Sequence, residues 1–149
     1  MKKVLRILNR FNVGGPTYNA TYLTKHLSDE YETKLLGGKK LDSEAAFEYL
    51  LEENNLDYTI LNDMNRSLHL IKDFKAFIEI RKIIKNFKPD IVLCSQTLEH
   101  IENPAKFLAN TIKFGDHNTK YFFQFPQTTS HQDFLIQEYQ TICVAQELP

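Results

Sequence analysis

The sequence contains no tryptophan and few residues of three other kinds: two cysteines, five glycines and five prolines among 149 residues. Cys94 and Cys143 lie far apart and form no C-x-x-C motif, so the sequence indicates neither a disulfide framework nor a zinc site. The histidines show no metal-ligand spacing, and we expect no metal. A reducing cytoplasm is the simplest location for such a chain.

The sequence also has no large excess of positive or negative charge and no long apolar run. The formal net charge is −1, so the basic excess typical of nucleic-acid binders is missing and no nucleic-acid partner is expected. No apolar run approaches the roughly 20 residues of a membrane span. The basic start of the chain leads into a short apolar stretch broken by Arg6, which predicts a first strand and not a signal peptide. The length favours one globular domain.

Five short apolar segments alternate with helical patterns. The segments with strand character are VLRIL, YETKLL, DYTIL, DIVLCS and KYFFQF. Helices are predicted between them: from Pro16 onward, from Asp42 or Ser43 to Glu53, from Leu70 to Phe87, and from Asn103 to Gly115.

This alternation implies parallel βαβ units, because each crossover must return over one face of the sheet. We therefore predict an α/β fold: a doubly wound, Rossmann-like parallel sheet of five strands in the order 3-2-1-4-5, within one domain over residues 1–127. Residues 128–149 form a tail whose structure the sequence does not indicate. In such a sheet, ligands bind in the crevice at the carboxyl ends of the strands, beside the switch point between strands 1 and 4.

Side-chain periodicity predicts which faces are buried. Gly37 and Gly38 are expected to end the second strand. The predicted core-facing residues of the first and the long helix are Ala20, Leu23 and Leu27, and Leu70, Phe74, Phe77, Ile78 and Ile84. The long helix is basic, which indicates either a solvated face or a peripheral membrane contact, through Lys72, Lys75, Arg81, Lys82, Lys85 and Lys88.

The segment FNVGGPTYNA places two glycines and a proline where the first strand turns into a helix. Glycine lets a backbone approach a ligand closely, and helix N-terminal amides suit a diphosphate. Gly14 and Gly15 before Pro16 meet these requirements. The alternative is a tight turn that needs glycine without any ligand, and the local pattern alone does not decide between the two.

The segment KVLRILNRFNVGGPTYNATYLTKHL, followed by ETKLLGG and IRKIIKNFKPDIV, resembles the N-terminal domain of family 4 glycosyltransferases, which have the GT-B fold. The resemblance covers residues 1 to about 92 and implies transfer of a sugar from a nucleotide-sugar donor to an acceptor. It implies that the glycine loop lies near the donor phosphates and the acceptor. That role falls to Gly14 and Gly15, with Asn12, Pro16 and Thr17 as neighbours.

The segment DIVLCSQTLEHIENPAKFL, with KYFFQFPQ after it, resembles strands 4 and 5 of class I S-adenosylmethionine-dependent methyltransferases, over residues 90–127. This resemblance implies that Glu99 and His100 lie close to cofactor or substrate. A histidine beside a carboxylate suits acid–base catalysis, which makes the pair candidate catalytic residues. The alternative is that Glu99 and Glu102 are first-turn acids of a helix.

Neither resemblance is complete. A methyltransferase needs an acidic-x-G-x-G loop after strand 1 and an acidic residue after strand 2, whereas this chain has NRFNVGG and then Lys39 and Lys40. S-adenosylmethionine is therefore not expected as a cofactor. A GT-B enzyme carries its nucleotide-sugar site on a second Rossmann-like domain, for which 149 residues leave no room. We therefore expect the chain to be inactive alone, with no covalently bound cofactor.

Three functions remain open from the sequence. The first is the N-terminal half of a GT-B glycosyltransferase, acting on a small-molecule sugar donor and an acceptor that is lipid-linked in some cases, together with a second domain or partner chain. The second is a methyltransferase-like protein. The third is a non-catalytic remnant, truncated or recombined.

Overall fold

The computed structural model describes residues 1–27, 29–64, 69–95, 119–126 and 139–145, with backbone alone for residues 123–126 and 139–145. The elements described are β1 (Lys2–Arg10), α1 (Gly15–Lys25), β2 (Tyr31–Gly38), α2 (Glu48–Glu53), β3 (Asp57–Leu61), α3 (Leu70–Phe87), β4 (Ile91–Ser95), β5 (Lys120–Pro126) and β6 (Tyr139–Ala145).

The strands form one sheet in the order β3-β2-β1-β4-β5-β6. The first five strands of this order are mutually parallel, which confirms the predicted doubly wound sheet in the order 3-2-1-4-5. β1 lies at the centre, where Arg6 is in register with Leu35 of β2 and with Leu93 of β4. The switch point predicted for ligand binding is the boundary between β1 and β4.

A sixth strand, β6, adds to the edge of the sheet in the segment that the sequence left without a structure. It runs antiparallel to β5, with Lys120 opposite Ala145 and Pro126 opposite Tyr139. An antiparallel edge strand on an otherwise parallel sheet is common in α/β folds.

Each face of the sheet has its own hydrophobic core. Leu5 and Ile7 of β1 pack on the face covered by α3, in a cluster that includes Ile84 and Tyr121. Leu8 packs on the opposite face, with Phe11, Ala20, Leu35, Phe47 and Leu51. The alternation of side chains along a strand sends neighbouring residues of β1 to opposite layers.

The second helix is shorter than the sequence predicted, because it begins at Glu48 and not at Asp42 or Ser43. Glu44 accepts a hydrogen bond from the Leu41 N–H at 2.9 Å, and Ala46 forms an antiparallel bridge with Asn12. These contacts hold the preceding segment against the β1–α1 loop, so it cannot continue the helix.

The helical faces also differ from the prediction. Leu70, Phe74 and Phe77 are 90, 65 and 37% exposed, and α3 contacts the core through Ala76, Ile80, Ile83, Ile84 and Phe87. In α1, Leu23 is exposed, as is Leu27 just after the helix, whereas Thr17, the predicted Ala20 and Thr21 are buried. The Thr21 hydroxyl is satisfied by the Thr17 carbonyl at 2.8 Å, which allows a polar residue to face the sheet.

As predicted, β2 ends at Gly37 and Gly38, which are its last two residues and pair with β1 and with Ile60 and Leu61 of β3. Within the described ranges, no helix is long and apolar enough to cross a membrane.

Candidate functional site

The β1–α1 loop starts from a fixed point, Phe11. Its side chain is fully buried, its N–H donates to the Gly38 carbonyl at 3.0 Å, and its ring meets Tyr58 edge-on with centroids 5.8 Å apart. The ring also lies against Gly37: a Cβ atom added there would come within 2.7–2.8 Å of three ring carbons. The chain therefore leaves β1 in a direction set by close packing.

An ion pair holds the loop to the segment before α2. The Arg10 Nε donates to both carboxylate oxygens of Glu44 at 2.9 Å, and its Nη2 lies 2.7 Å from Oε1. The Lys40 ammonium donates to the Glu44 carbonyl at 3.2 Å, and the Asn12 amide approaches the Glu44 carboxylate at 3.5 Å. Because Glu44 neutralises Arg10, this arginine is a structural cation and not a free phosphate ligand.

Gly14 and Gly15 follow this anchored part of the loop. Gly14 is the N-cap of α1, with φ 178° and ψ 162°, which is extended backbone open to any residue. A Cβ atom at Gly14 would make only ordinary contacts at 3.8 and 3.9 Å, and one at Gly15 would have no described atom within 4 Å. Neither glycine is required by backbone conformation or by packing among the described residues.

Gly14 and Gly15 donate no backbone hydrogen bond to any described residue, whereas the Gly14 carbonyl accepts from Thr17 and Tyr18, both at 3.1 Å. Pro16, at the second position of α1, has no N–H to offer. The first turn of α1 contains no acidic residue that would repel an anion.

The other predicted neighbours of the loop have structural roles. Thr17 is 1% exposed and faces the sheet, so its side chain does not line an open site. Asn12 bridges to Ala46. Of the five residues predicted for the loop, Gly15 is exposed, and Asn12, Gly14 and Pro16 are partly buried.

A cluster of tyrosines lies beside the loop. Tyr18 meets Phe47 edge-on at 4.9 Å and stacks with Tyr22 at 6.3 Å, with 12° between the ring planes. A hydrogen bond with Tyr18 raises the pKa of Tyr49. Tyr18, Tyr22 and Tyr49 are 37, 46 and 49% exposed. Such amphipathic rings can contact both the apolar face of a sugar or base and its hydroxyl groups.

A cavity of about 270 Å³ lies at the switch point between β1 and β4. The helix α1 contributes Asn19 and Leu23 to its wall, one and two turns after Gly15. The sheet contributes Arg6, Leu93, Cys94, Ser95 and Phe122. Because residues four apart share one helical face, the open space at Gly15 and the cavity lie along the same side of α1.

Arg6 is the charged residue in this cavity wall. It is 5% exposed, its Nη1 donates to the Ala20 carbonyl at 3.2 Å, and its Nη2 lies 3.5 Å from the Asn19 side-chain oxygen. Its Nε is buried and has no hydrogen-bond partner among the described residues. Burial lowers the pKa of the Arg6 guanidinium.

Other reactive groups give no second site. Burial raises the pKa of the Cys94 thiol to about 12, so this residue is protonated at neutral pH and not a nucleophile. Across the described ranges there is no group of three or more histidine, cysteine, aspartate or glutamate side chains that could hold a metal ion. Glu99 and His100, the candidate catalytic pair, lie outside the described residues, as does the predicted helix from Asn103 to Gly115.

Sequence reasoning missed Arg6, Glu44 and the tyrosine cluster as parts of this region. One signal pointed to Arg6: a charged residue inside VLRIL, an apolar segment predicted to be a strand of the sheet. The sequence carried no comparable signal for Glu44, because its partner Arg10 is 34 residues away.

Comparison with models of known protein families gives no match, and comparison with curated protein sequences gives none. Among solved structures, the chain is similar to UDP-GlcNAc 2-epimerase from Neisseria meningitidis bound to UDP-GlcNAc, with 18% identity and a TM-score of 0.47 over 75% of this chain and 30% of that one. A deacetylase triple mutant from the teicoplanin biosynthetic pathway shows 13% identity and a TM-score of 0.44, over 83% of this chain and 63% of that one. A deacetylase complex from teicoplanin biosynthesis shows 12% identity and a TM-score of 0.45, over 83% of this chain and 66% of that one.

The chain thus spans between 30 and 66% of the length of these structures. Their low identities and TM-scores below 0.5 carry no argument about its activity. The strand order, the parallel register and the position of the crevice define the class: a Rossmann-like α/β chain.

Proposed function

We propose that this chain is the Rossmann-like half of a glycosyltransferase-related protein, in which the Gly14–Gly15 loop binds the diphosphate of a nucleotide-sugar donor. Sugar transfer would then need a second domain or a partner chain to hold the nucleotide and to stabilise the departing diphosphate. The alternatives left open by the sequence, a methyltransferase-like protein and a non-catalytic remnant, become outcomes of the test below.

The single observation that carries the proposal is that the fold does not need glycine at positions 14 and 15. Gly14 has an extended backbone, and Gly15 faces open space among the described residues. A turn that required glycine for its own geometry would show a left-handed φ or a close backbone contact. A ligand approaching the backbone closely supplies the missing reason, since any side chain would occupy its place.

The surroundings of the loop support the same ligand. Phe11 and the Arg10–Glu44 ion pair hold the loop in position before a ligand arrives, which lowers the entropy cost of binding. The exposed rings of Tyr18 and Tyr49 provide a surface for the sugar or the base next to the phosphates. In this arrangement Asn12 and Thr17 support the loop and do not touch the ligand.

Glycine-selective ¹⁵N labelling tests the proposal directly, because the chain has only five glycines. Full-length protein labelled in this way is titrated with UDP, GDP and ADP, with UDP-GlcNAc and GDP-mannose, and with S-adenosylmethionine. We expect a nucleoside diphosphate to shift the amide resonances of Gly14 and Gly15. The Gly37 and Gly38 amides, which lie within the sheet, serve as internal controls.

Gly15→Ala and Gly14→Ser assign the two resonances and remove the binding. A shift with S-adenosylmethionine and not with nucleotides would replace the proposal by the methyltransferase reading and direct mutagenesis to Glu99 and His100. No shift with any compound, on a chain that unfolds cooperatively, would favour the non-catalytic remnant.

The first turns of α3 favour a second role, peripheral contact with an anionic membrane surface. Leu70, Ile71 and Phe74 are 90, 66 and 65% exposed, and the Phe74 and Phe77 rings stack at 6.4 Å on the same face. Exposed lysines, Lys72 and Lys75, flank these residues. An apolar surface bordered by cations binds at the headgroup level of anionic bilayers, which suits a lipid-linked acceptor.

Co-sedimentation with vesicles tests this contact. We expect binding to vesicles of phosphatidylcholine with phosphatidylglycerol and little binding to phosphatidylcholine alone. Phe74→Ser should abolish binding, whereas Lys88→Ser, at the far end of the same helix, should leave most of it. Equal binding of both variants would exclude the start of α3 as the contact surface.

A further inference from the structure

We propose that the cavity between β1, β4 and α1 is a binding site for a small organic oxyanion, a carboxylate or phosphate group on an apolar body, with Arg6 as its counter-charge. This inference does not depend on the proposed function, because it involves different residues and a different ligand from the Gly14–Gly15 loop.

Arg6 is a buried cation without a counter-charge among the described residues. Its contacts are the Ala20 carbonyl at 3.2 Å and the Asn19 side-chain oxygen at 3.5 Å, and both of these acceptors are neutral. A guanidinium has five N–H donors, and the Arg6 Nε has no acceptor in the part of the chain that the structure describes. A buried charge is costly unless it is paired, so the site gains if an anion enters.

Arg10, four residues later on the same strand, differs from Arg6 in that its charge is paired. Its guanidinium forms a two-oxygen ion pair with Glu44, at distances of 2.7–2.9 Å. Arg10 lies nearer to the surface than Arg6, with 16% of its side chain exposed. The more buried of the two arginines is thus the one without a carboxylate among the described residues.

The volume and lining of the cavity indicate the size and polarity of the ligand. Its volume of about 270 Å³ is slightly below the usual range for drug-sized ligands, which favours a smaller molecule. Leu23, Leu93 and Phe122 supply apolar wall, and Asn19 and Ser95 supply polar groups to the same lining. An anionic group would contact the guanidinium, and an apolar body would contact the three hydrophobic side chains. An inorganic anion alone would leave that apolar wall uncovered.

The experiment follows the side-chain Nε–H resonances of the four arginines in ¹⁵N-arginine-labelled full-length protein. The probes are benzoate, phenyl phosphate, inorganic phosphate and the neutral analogue benzamide, at constant ionic strength. We expect benzoate or phenyl phosphate to shift the Arg6 resonance in a saturable manner and to leave that of Arg10 in place. Comparison of these two probes distinguishes a carboxylate ligand from a phosphate ligand.

Arg6→Met and Arg6→Lys identify the resonance and test the charge. With Arg6→Met we expect loss of the anion-induced rise in melting temperature, while Arg6→Lys should keep part of that rise because the charge remains without the planar fork. If Arg6→Met fails to fold, the titration of wild-type protein and Arg6→Lys still decides the matter.

The inference is overturned if no anion shifts the Arg6 resonance, since Arg6 would then be satisfied by the chain itself. It is equally overturned if benzamide acts as strongly as benzoate, since charge would play no part. If nucleoside diphosphates shift Gly14 and Gly15 and neither benzoate nor phenyl phosphate shifts Arg6, the proposed function alone is upheld. If benzoate or phenyl phosphate shifts Arg6 and no nucleoside diphosphate shifts the two glycines, the anion cavity alone is upheld.

Discussion

The two glycine pairs of this protein lie at the carboxyl ends of neighbouring strands, Gly37 and Gly38 at the end of β2 and Gly14 and Gly15 after β1. The two pairs differ in whether the packing of the fold requires glycine. At Gly37 and Gly38 a side chain has no room, because the Phe11 ring and the carbonyl oxygens of Met64 and Asn9 occupy its place. At Gly14 and Gly15 a side chain would meet ordinary contacts or open space. Close packing therefore requires glycine at the end of β2. The described packing does not require glycine in the β1–α1 loop, which is where we propose that a ligand binds.

The largest effect on stability is expected for Gly38→Ala. The new Cβ atom would overlap the carbonyl oxygens of Met64 and Asn9, and both are backbone atoms that cannot rotate away. We expect a loss of about 3 kcal/mol or more in the free energy of unfolding, measured by urea denaturation with circular dichroism. A loss below about 1 kcal/mol, within the range of an ordinary surface substitution, would contradict the close approach.

Gly37→Ala should lower the free energy of unfolding by less, about 2 kcal/mol, because the new Cβ atom would meet the Phe11 side chain and not backbone atoms. The double variant Phe11→Leu with Gly37→Ala sharpens this expectation. If the ring is the obstacle, the two substitutions should be coupled by about 1 kcal/mol in a double-mutant cycle. Additive losses would show that Gly37 is required for another reason.

Glu44→Gln should lower the free energy of unfolding by about 1.5 kcal/mol, since it leaves the largely buried Arg10 guanidinium without its carboxylate. It should also broaden the amide resonances of Gly14 and Gly15 while those of Gly37 and Gly38 remain sharp. Glu30→Gln, on an exposed residue, is the matched control and should change neither quantity. Unchanged Gly14 and Gly15 resonances in Glu44→Gln would mean that the ion pair does not order the loop.

Gly15→Ala should change the free energy of unfolding by no more than about 0.5 kcal/mol, because the added methyl group enters open space at the start of a helix. It should nevertheless weaken nucleoside diphosphate binding strongly, raising the dissociation constant measured by calorimetry at least tenfold. A Gly15→Ala variant that binds nucleoside diphosphates as well as the wild type would contradict the proposal that this loop contacts the diphosphate.

Much of the fold was predictable because it depends on local patterns. Alternating apolar segments and helical periodicity, with right-handed crossovers, lead to the parallel order 3-2-1-4-5 that the structure shows. The buried face of α3 was predicted less well: Leu70 and Phe74 match the helical period, yet they lie beyond the part of the helix that contacts the core. Periodicity identifies a face, but only the position of the sheet decides how much of that face is covered.

The candidate site was predictable in part. GGP at the end of an apolar strand predicted the loop, and the structure places Gly14 and Gly15 at the start of α1, beside the switch point. The prediction that β2 ends at Gly37 and Gly38 is confirmed, and both residues still pair with the neighbouring strands. Nothing in the local sequence shows that the Phe11 ring will lie against Gly37, since that contact joins residues 26 positions apart.

The sequence by itself determined the class of fold and the position of the glycine loop, because hydrophobic periodicity and turn chemistry act between near neighbours in the chain. Only the tertiary structure decided which glycines are required by packing, that Glu44 satisfies Arg10, and that Arg6 faces a cavity without a carboxylate among the described residues. These outcomes depend on distances between residues far apart in the chain, and on which charges are buried together. Neither quantity exists until the sheet has formed.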